Sequence, residues 1–308
     1  MIILTDTPQF CRHLTGIRSE WQQVKARSDQ SLPHLISLFN VGGKVFTAYT
    51  TNYEKWNYLY VVDHARASQF ETLLHLLRSD HEVPDKFLCI AQTGESFKGY
   101  NNRTWIAEKG NLHLSICLHP EQQVEYFNTG FTILSAVAVL KTIDQISGLA
   151  GKCSIKWVND LVIGEHKVGG VITHTQVCGP RVTTAVLGIG LNVLKQPAVI
   201  PDSFVPASAA LITYSDTSLN EVFSALVINL LRYYQKLLAG GYDELWQIYV
   251  SRSNVVGREV AIFSDKRNRS AECIVRGNVE RIGRNLELYL QGHRTPVSRG
   301  RLAFVHDL

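Results

Sequence analysis

The chain has 308 residues, 45% of them hydrophobic and 19% charged, which is long enough for about two domains and for a core that needs neither disulfides nor a structural metal. Its net charge of +4, with 31 basic residues against 27 acidic ones and no polybasic block, permits a phosphate ligand or an acidic partner and gives no argument for nucleic acid. Six cysteines at 11, 89, 117, 153, 178 and 273 form no CxxC pair, which fits reduced thiols in the cytoplasm; the opening MIILTDTPQF is no signal peptide, and no apolar run reaches the roughly 18–20 residues of a membrane span.

In chain order, residues 1–58 are mixed in character. SEWQQVKARSDQ (19–30) could form one amphipathic helix that packs rather than binds DNA. Gly42-Gly43 marks a turn before the alternating strand KVFTAYTT. LYVVD (59–63) has the pattern of a buried strand. In SQFETLLHLLR, Phe70, Leu73, Leu74 and Leu77 recur on one helix face. FLCIAQ (87–92) predicts another strand, followed by a polar loop over 93–104, and NLHLSICL (111–118) alternates like a half-buried strand. Residues 130–146 suit a buried helix. CSIKW (153–157) runs as a strand into an Asn-Asp turn, and LVIGEHKVGGVITHT (161–175) predicts a hairpin with Gly164-Glu165 near its tip. TTAVLGIGLNV (183–193) is a further strand. Ser218 and Glu221 form a capping box for a helix through Leu238, ended by Gly240-Gly241, and a second helix follows over 242–253. Beyond Gly257 the texture becomes short strands between Arg/Asn/Gly-rich turns, as in a small β-barrel.

The stretch that best suggests chemistry is KWVNDL (156–161) followed by KVGGV (167–171). A lysine seven residues after Asp160, across a hairpin, can return to the aspartate's face. The two glycines behind it let backbone N–H groups approach a ligand. Cation, carboxylate and bare backbone together suit an anion and an incoming amine. A plain hairpin with a turn-forming Asn-Asp and a solvated lysine explains the same spacing. Eleven histidines include no HExxH pattern, so no metal site is expected. The GIG at 188–190 lies inside a strand pattern and is no dinucleotide fingerprint.

KWVNDLVIGEHKVGGVI resembles the KWPNDL…K(L/V)xGI block of biotin–protein ligases, and LGIGLNV resembles the GIGxN strand of that family. Arg103-Thr104-Trp105 and Gly110 to Ser115 resemble its RxW…GxNLYLS segment. GREV (257–260) and PVSRGRLAF (296–304) resemble its SH3-like C-terminal domain. The order agrees over about four-fifths of the chain, residues 59–308.

The resemblance implies an α+β fold: a class II synthetase-like mixed or antiparallel sheet with helices, then an SH3-like β-barrel. The implied division is an N-terminal extension (1–58), a catalytic domain (59–254) and a C-terminal domain (255–308). It implies ATP-dependent formation of biotinyl-AMP, with ATP, Mg²⁺ and biotin as cofactor and substrates. Biotin then passes to a lysine of a carboxylase's biotin carboxyl carrier domain. Lys167, Asp160 and Arg103 take the catalytic positions. Lys98, Gly99, Arg103, Trp105, Asn159 and Asn192 take the adenylate positions. His64, Ala65, Gln92, Lys167, Gly169 and Gly170 take the biotin positions. Many members pair through a sheet edge, which leaves a homodimer open, although no edge signal is visible.

The chain departs from the family at the ligand. The GRGRxGR loop is replaced by Phe97-Lys98-Gly99-Tyr100-Asn101-Asn102-Arg103. One arginine becomes a lysine, which lacks the bidentate fork, and another becomes a tyrosine. The ligand-binding Ser-Thr pair aligns with His64-Ala65. The biotin-facing glutamine aligns with Gly94, with Gln92 as a shifted substitute. These changes leave room for a lipoyl or octanoyl transferase, or for a non-catalytic adenylate-binding regulator.

Overall fold

The computed structural model describes residues 1–24, 44–79, 81–100, 103–201, 204–264 and 272–305. The Gly42-Gly43 turn and most of the 19–30 segment lie outside them. Within the described part of that segment, Gln22–Gln23 is a short strand and not the start of a helix.

A large mixed sheet is built from β1 (Ile2–Thr5), β2 (Gln22–Gln23), β3 (Phe46–Tyr49), β4 (Tyr58–Ala65), β5 (Phe87–Gly94), β6 (Leu112–Leu118), β7 (Gln122–Gln123), β8 (Cys153–Lys156), β9 (Asp160–Ile163), β10 (His166–Cys178) and β11 (Arg181–Leu191). The strand order is β2-β3-β1-β4-β5-β6-β11-β10-β9-β8, with β7 beside β11. β1, β4 and β5 run parallel to one another, and the other pairings are antiparallel. The mixed core sheet expected from the sequence is therefore present. Residues before 58 extend it, because β1 lies between β3 and β4.

The helices are α1 (Pro8–Thr15), α2 (Gln69–Arg78), α3 (Phe127–Ile143), α4 (Leu219–Leu238) and α5 (Tyr242–Ser251). The parallel β4 and β5 require a crossover, and α2 supplies it. Ser68 accepts the Glu71 amide at 3.3 Å and caps this helix, a contact worth about 1 kcal/mol. The capping box of α4 forms as its sequence predicts, with the Ser218 hydroxyl on the Glu221 amide and the Glu221 carboxylate on the Ser218 amide. α3 is apolar on most of its circumference because it is wedged between the sheet and α4 and α5.

Strand alternation divides the core. Leu59, Val61, Leu88, Ile90, Leu112, Leu114 and Ile116 face α3 and α4, whereas Tyr60, Val62, Cys89, Ala91 and Cys117 face α2. Both faces of β6 are thus covered, and all its residues are buried, where alternation alone suggested a half-exposed strand. Four of the cysteines are buried as free thiols, while Cys178 and Cys273 are exposed.

A second, antiparallel sheet follows, β14-β13-β12-β15, from β12 (Glu259–Phe263), β13 (Cys273–Ile282), β14 (Leu288–Leu290) and β15 (Arg301–Phe304). It matches the expected SH3-like C-terminal unit. The Trp157 indole N–H donates to the Leu286 carbonyl at 2.6 Å, and that of Trp246 to the Gly283 carbonyl at 2.9 Å. The Tyr242 hydroxyl donates to the Arg284 carbonyl. No helix among the described residues is long and apolar enough to cross a membrane.

Candidate active site

In the β9–β10 hairpin Gly170 sits opposite Asp160 and Lys167 opposite Val162, and the register shifts between Lys167 and Gly169. Val168 is the extra residue of this bulge. In an unbroken strand, residues 167 and 170 would point to opposite faces. The bulge puts both on the face of Asp160. The Asn192 amide fixes it by donating to the Val168 carbonyl at 2.8 Å.

As a result the Lys167 ammonium lies 2.6 Å from an Asp160 carboxylate oxygen. A side chain at Gly170 would meet that pair at 3.4 Å, so glycine keeps the face open. Asn159, next to Asp160, is buried and donates from its amide to the Val171 carbonyl at 2.6 Å, which anchors the turn.

Trp105 forms the opposite wall, its ring 5.7 Å from the Lys167 ammonium. Its indole N–H donates to Nδ1 of the buried His113 at 3.1 Å, and His113 Nε2 lies 3.1 Å from the Glu108 carbonyl. Both contacts are satisfied by a neutral imidazole with its proton on Nε2. Burial favours that form and pulls the His113 pKa down to about 4. The indole lies flat over Gly190, where any Cβ would come within 2.4 Å of the ring. The loop before Trp105 folds back on itself through a Lys98–Thr104 bridge, and the Gly99 amide donates to the Arg103 carbonyl at 2.7 Å. Arg103 donates to the Tyr100 carbonyl at 3.2 Å.

These groups surround a cleft of about 790 Å³ including its mouth. Lys98, Gly99, Arg103, Trp105, Asn159, Asp160, Lys167 and Gly170 all line it. Five other expected ligand residues do not. Gly169 packs its backbone against Gly190 and Leu191, with no space for a side chain. Asn192 donates to the Ala209 carbonyl at 3.1 Å and is held beneath the bulge. Gln92 alternates with Ala91 and so sits on the opposite face of β5 from the apolar cluster that holds Phe97 and Trp105. His64 turns to Thr93 at 3.0 Å and Glu95 at 3.4 Å. Ala65 is taken up in pairing with Gly94. Gly94 could not carry a side chain either, because Phe97 lies 2.1 Å from where its Cβ would be.

Ser68, Phe70, Phe97, His113, Ser115 and Ile172 line the cleft without having been singled out. The signal for His113 and Ser115 was their polar character, at alternate positions, within a strand otherwise apolar enough for the core. Ser68, the cap of α2, adds to the wall.

Among the described residues no cluster of acidic, histidine or cysteine side chains could by itself hold a metal ion. Asp160 is the one carboxylate among the described lining residues. A divalent ion would fit here as the partner of a nucleotide's phosphates, the usual way Mg²⁺ is held.

Residues 66–192 match the model of the biotin/lipoate A/B protein ligase family. The chain is 26% identical over 196 residues to the bifunctional ligase/repressor BirA of Bacillus subtilis, which covers 62% of this chain and 59% of that protein. It is 25% identical over 166 residues to a biotin–[acetyl-CoA-carboxylase] ligase of Paracoccus denitrificans, covering 53% and 69%. The chain thus spans about three-fifths of the length of the Bacillus relative. The fold is similar to that of an Aquifex aeolicus biotin protein ligase solved with biotin and ATP, with a TM-score of 0.60, 19% identity, and coverage of 80% and 97%.

Proposed function

From a chain that carries a biotin/lipoate A/B protein ligase domain over residues 66–192, we propose an ATP-dependent biotin–protein ligase that makes biotinyl-AMP and passes biotin to a lysine of a carboxyl carrier domain. The observation that carries this reading is the Lys167–Asp160 pair, 2.6 Å apart in a cleft walled by the Trp105 indole.

In the first step a biotin carboxylate oxygen attacks the α-phosphorus of ATP, and pyrophosphate leaves. Negative charge builds on the phosphoryl oxygens. Lys167 supplies a positive charge there, in a site partly shielded from water, where it counts for more than in bulk. Trp105 offers a flat apolar face for adenine, held at a fixed angle by His113 and given room by Gly190. Mg²⁺ carried by the nucleotide would screen the phosphates here. In the second step a lysine amine attacks the mixed anhydride and AMP leaves. Asp160 is placed to accept the proton of the incoming ammonium. Removing water from the cleft protects the anhydride. The apolar Phe70, Phe97 and Ile172 fit the acid's carbon skeleton.

The test is incubation of the full chain with ATP, Mg²⁺ and labelled biotin. The expected product is an acid-labile biotinyl-AMP. In Lys167→Ala its formation should fall by at least about a hundredfold. The melting temperature should fall as well, because the largely buried Asp160 carboxylate loses its cation, so the assay is run well below it. Adenylation of octanoate or lipoate in place of biotin would reassign the acid. The absence of any acyl adenylate would leave a binding protein.

A further inference from the structure

The floor of the cleft is a patch of sheet, and the strand pairings set its side chains in rows. Gly170 of β10, Gly190 of β11 and His113 of β6 lie side by side. This row carries the Lys167–Asp160 pair at one end and the Trp105 indole over Gly190. The next row on the same face, about 7 Å further along the strands, is Ile172, Gly188 and Ser115. Ile172 and Phe70 rest on Gly188, where a Cβ would come within 2.7 Å of Ile172 and 3.1 Å of Phe70. Ser115 therefore stands at the apolar end of the cleft, one row beyond the place where Lys167 would meet a carboxylate.

A hydroxyl at that place has no structural work. Ser115 lines the cleft and is only 5% exposed, yet its hydroxyl has no hydrogen-bond partner among the described residues. Buried hydroxyls elsewhere are satisfied by backbone. Ser135 donates to the Phe131 carbonyl at 2.8 Å, Thr142 to the Ala138 carbonyl at 2.8 Å and Ser208 to the Pro197 carbonyl at 2.6 Å. A buried polar group left without a partner is destabilising, and a ligand that bonds to it removes that cost. Ser68 lines the same cleft and is equally buried. Its oxygen accepts the Glu71 amide, while its own proton has no acceptor among the described residues.

Resting on the adenylation reading, we propose that Ser115, with Ser68, holds a polar ring at the far end of the substrate acid and so selects such an acid over a plain alkyl one. A serine hydroxyl both donates and accepts. A cyclic urea offers the two complements, N–H donors beside a carbonyl oxygen. The tail of a straight-chain acid offers neither, so binding it would seal both hydroxyls away from water unpaired. A site built to bond a polar group rejects the analogue that lacks it far more strongly than an apolar pocket rejects a change of size. Phe70 and Ile172, packed over Gly188, give the ring an apolar wall.

Calorimetric titration of the full chain with biotin, desthiobiotin and octanoate, without nucleotide, tests the assignment. Desthiobiotin keeps the cyclic urea and lacks the ring sulfur. The unsubstituted chain should bind both urea acids more tightly than octanoate. Ser115→Ala should weaken both about five- to tenfold, the effect of losing one hydrogen bond, and leave octanoate binding unchanged. Ser135→Ala removes a buried hydroxyl outside the cleft and should alter none of the three. Equal losses for biotin and octanoate in Ser115→Ala would make Ser115 a packing residue and overturn the proposal. So would an unsubstituted chain that binds octanoate as tightly as biotin, or one that binds none of the acids. A loss confined to biotin, with desthiobiotin unaffected, would put Ser115 at the sulfur and refute the assignment to the urea. Biotinyl-AMP formation with biotin binding unaltered in Ser115→Ala would leave the ligase reading and remove this role. A selective loss of the urea acids in a chain that forms no acyl adenylate would do the reverse.

Discussion

The carboxylate of Asp160 has a partner before any substrate arrives, since Lys167 lies 2.6 Å away. An anionic ligand that draws the ammonium away leaves that carboxylate for an incoming amine. Asp160→Asn keeps the shape and a hydrogen-bonding oxygen but loses the proton acceptor. Biotinyl-AMP formation should stay within about threefold of normal, while transfer to a carrier lysine should fall by about a hundredfold or more. Single-turnover assays of the two steps would check this, and equal losses in both would contradict the role. His113 supports a different expectation. It is buried as a neutral ring with a pKa of about 4, against an ordinary 6.5 in the unfolded chain. Between those values the unfolded chain binds a proton that the folded chain refuses. Stability from this group is therefore intact above pH 6.5 and declines by up to about 3 kcal/mol as the pH falls to 4. His113→Gln should flatten that slope in urea unfolding across pH 4.5 to 7.5. At this scale spacing alone left Lys167 and Asp160 open to a plain-hairpin reading; the family resemblance singled them out with Trp105, and all three line one cleft. His64, Ala65 and Gln92, which alignment set at the biotin positions, do not line that cleft, because alignment by position carries no information on how neighbouring strands and loops close around a side chain.

Among the elements, the local ones were the most legible. The box of α4 and the turn at Gly164, which has φ 60°, follow from a few neighbouring residues. The Val168 bulge did not, since its register depends on pairing with β9 and on Asn192, just beyond the end of β11. The glycines of β11 gained meaning only with their neighbours known. Gly190 is the floor beneath the Trp105 ring. Gly190→Ala should push that ring out of place and cost about 1–3 kcal/mol of stability by overpacking. The KM for ATP should rise while the intrinsic emission of the displaced indole changes. Stability loss without any change in ATP dependence would make Gly190 a packing residue alone.

For the whole molecule, texture gave away the change from mixed elements to a β-domain near residue 257, but not the long-range pairings. Nothing local indicates that β1 slots between β3 and β4, or that one apolar core joins Leu14 of α1 to Ile262 and Phe304 of the C-terminal sheet. That shared core predicts one cooperative thermal transition for both sheets. Trp157→Phe removes the buried bond to Leu286 and should cost about 1–3 kcal/mol, since the carbonyl loses its partner. Scanning calorimetry would show a lower midpoint, whereas two separate transitions in the unsubstituted protein would refute the joint core. Trp157 also stands between Lys156 and the Asn159-Asp160 pair, with its indole tethered in the other sheet. A chimera that borrows its final fifty or so residues from a cousin must therefore import a carbonyl at the right height for this indole, or retune the reaction centre by accident. Shuffling of these two segments during descent would have been constrained accordingly, each half carrying part of the other's address.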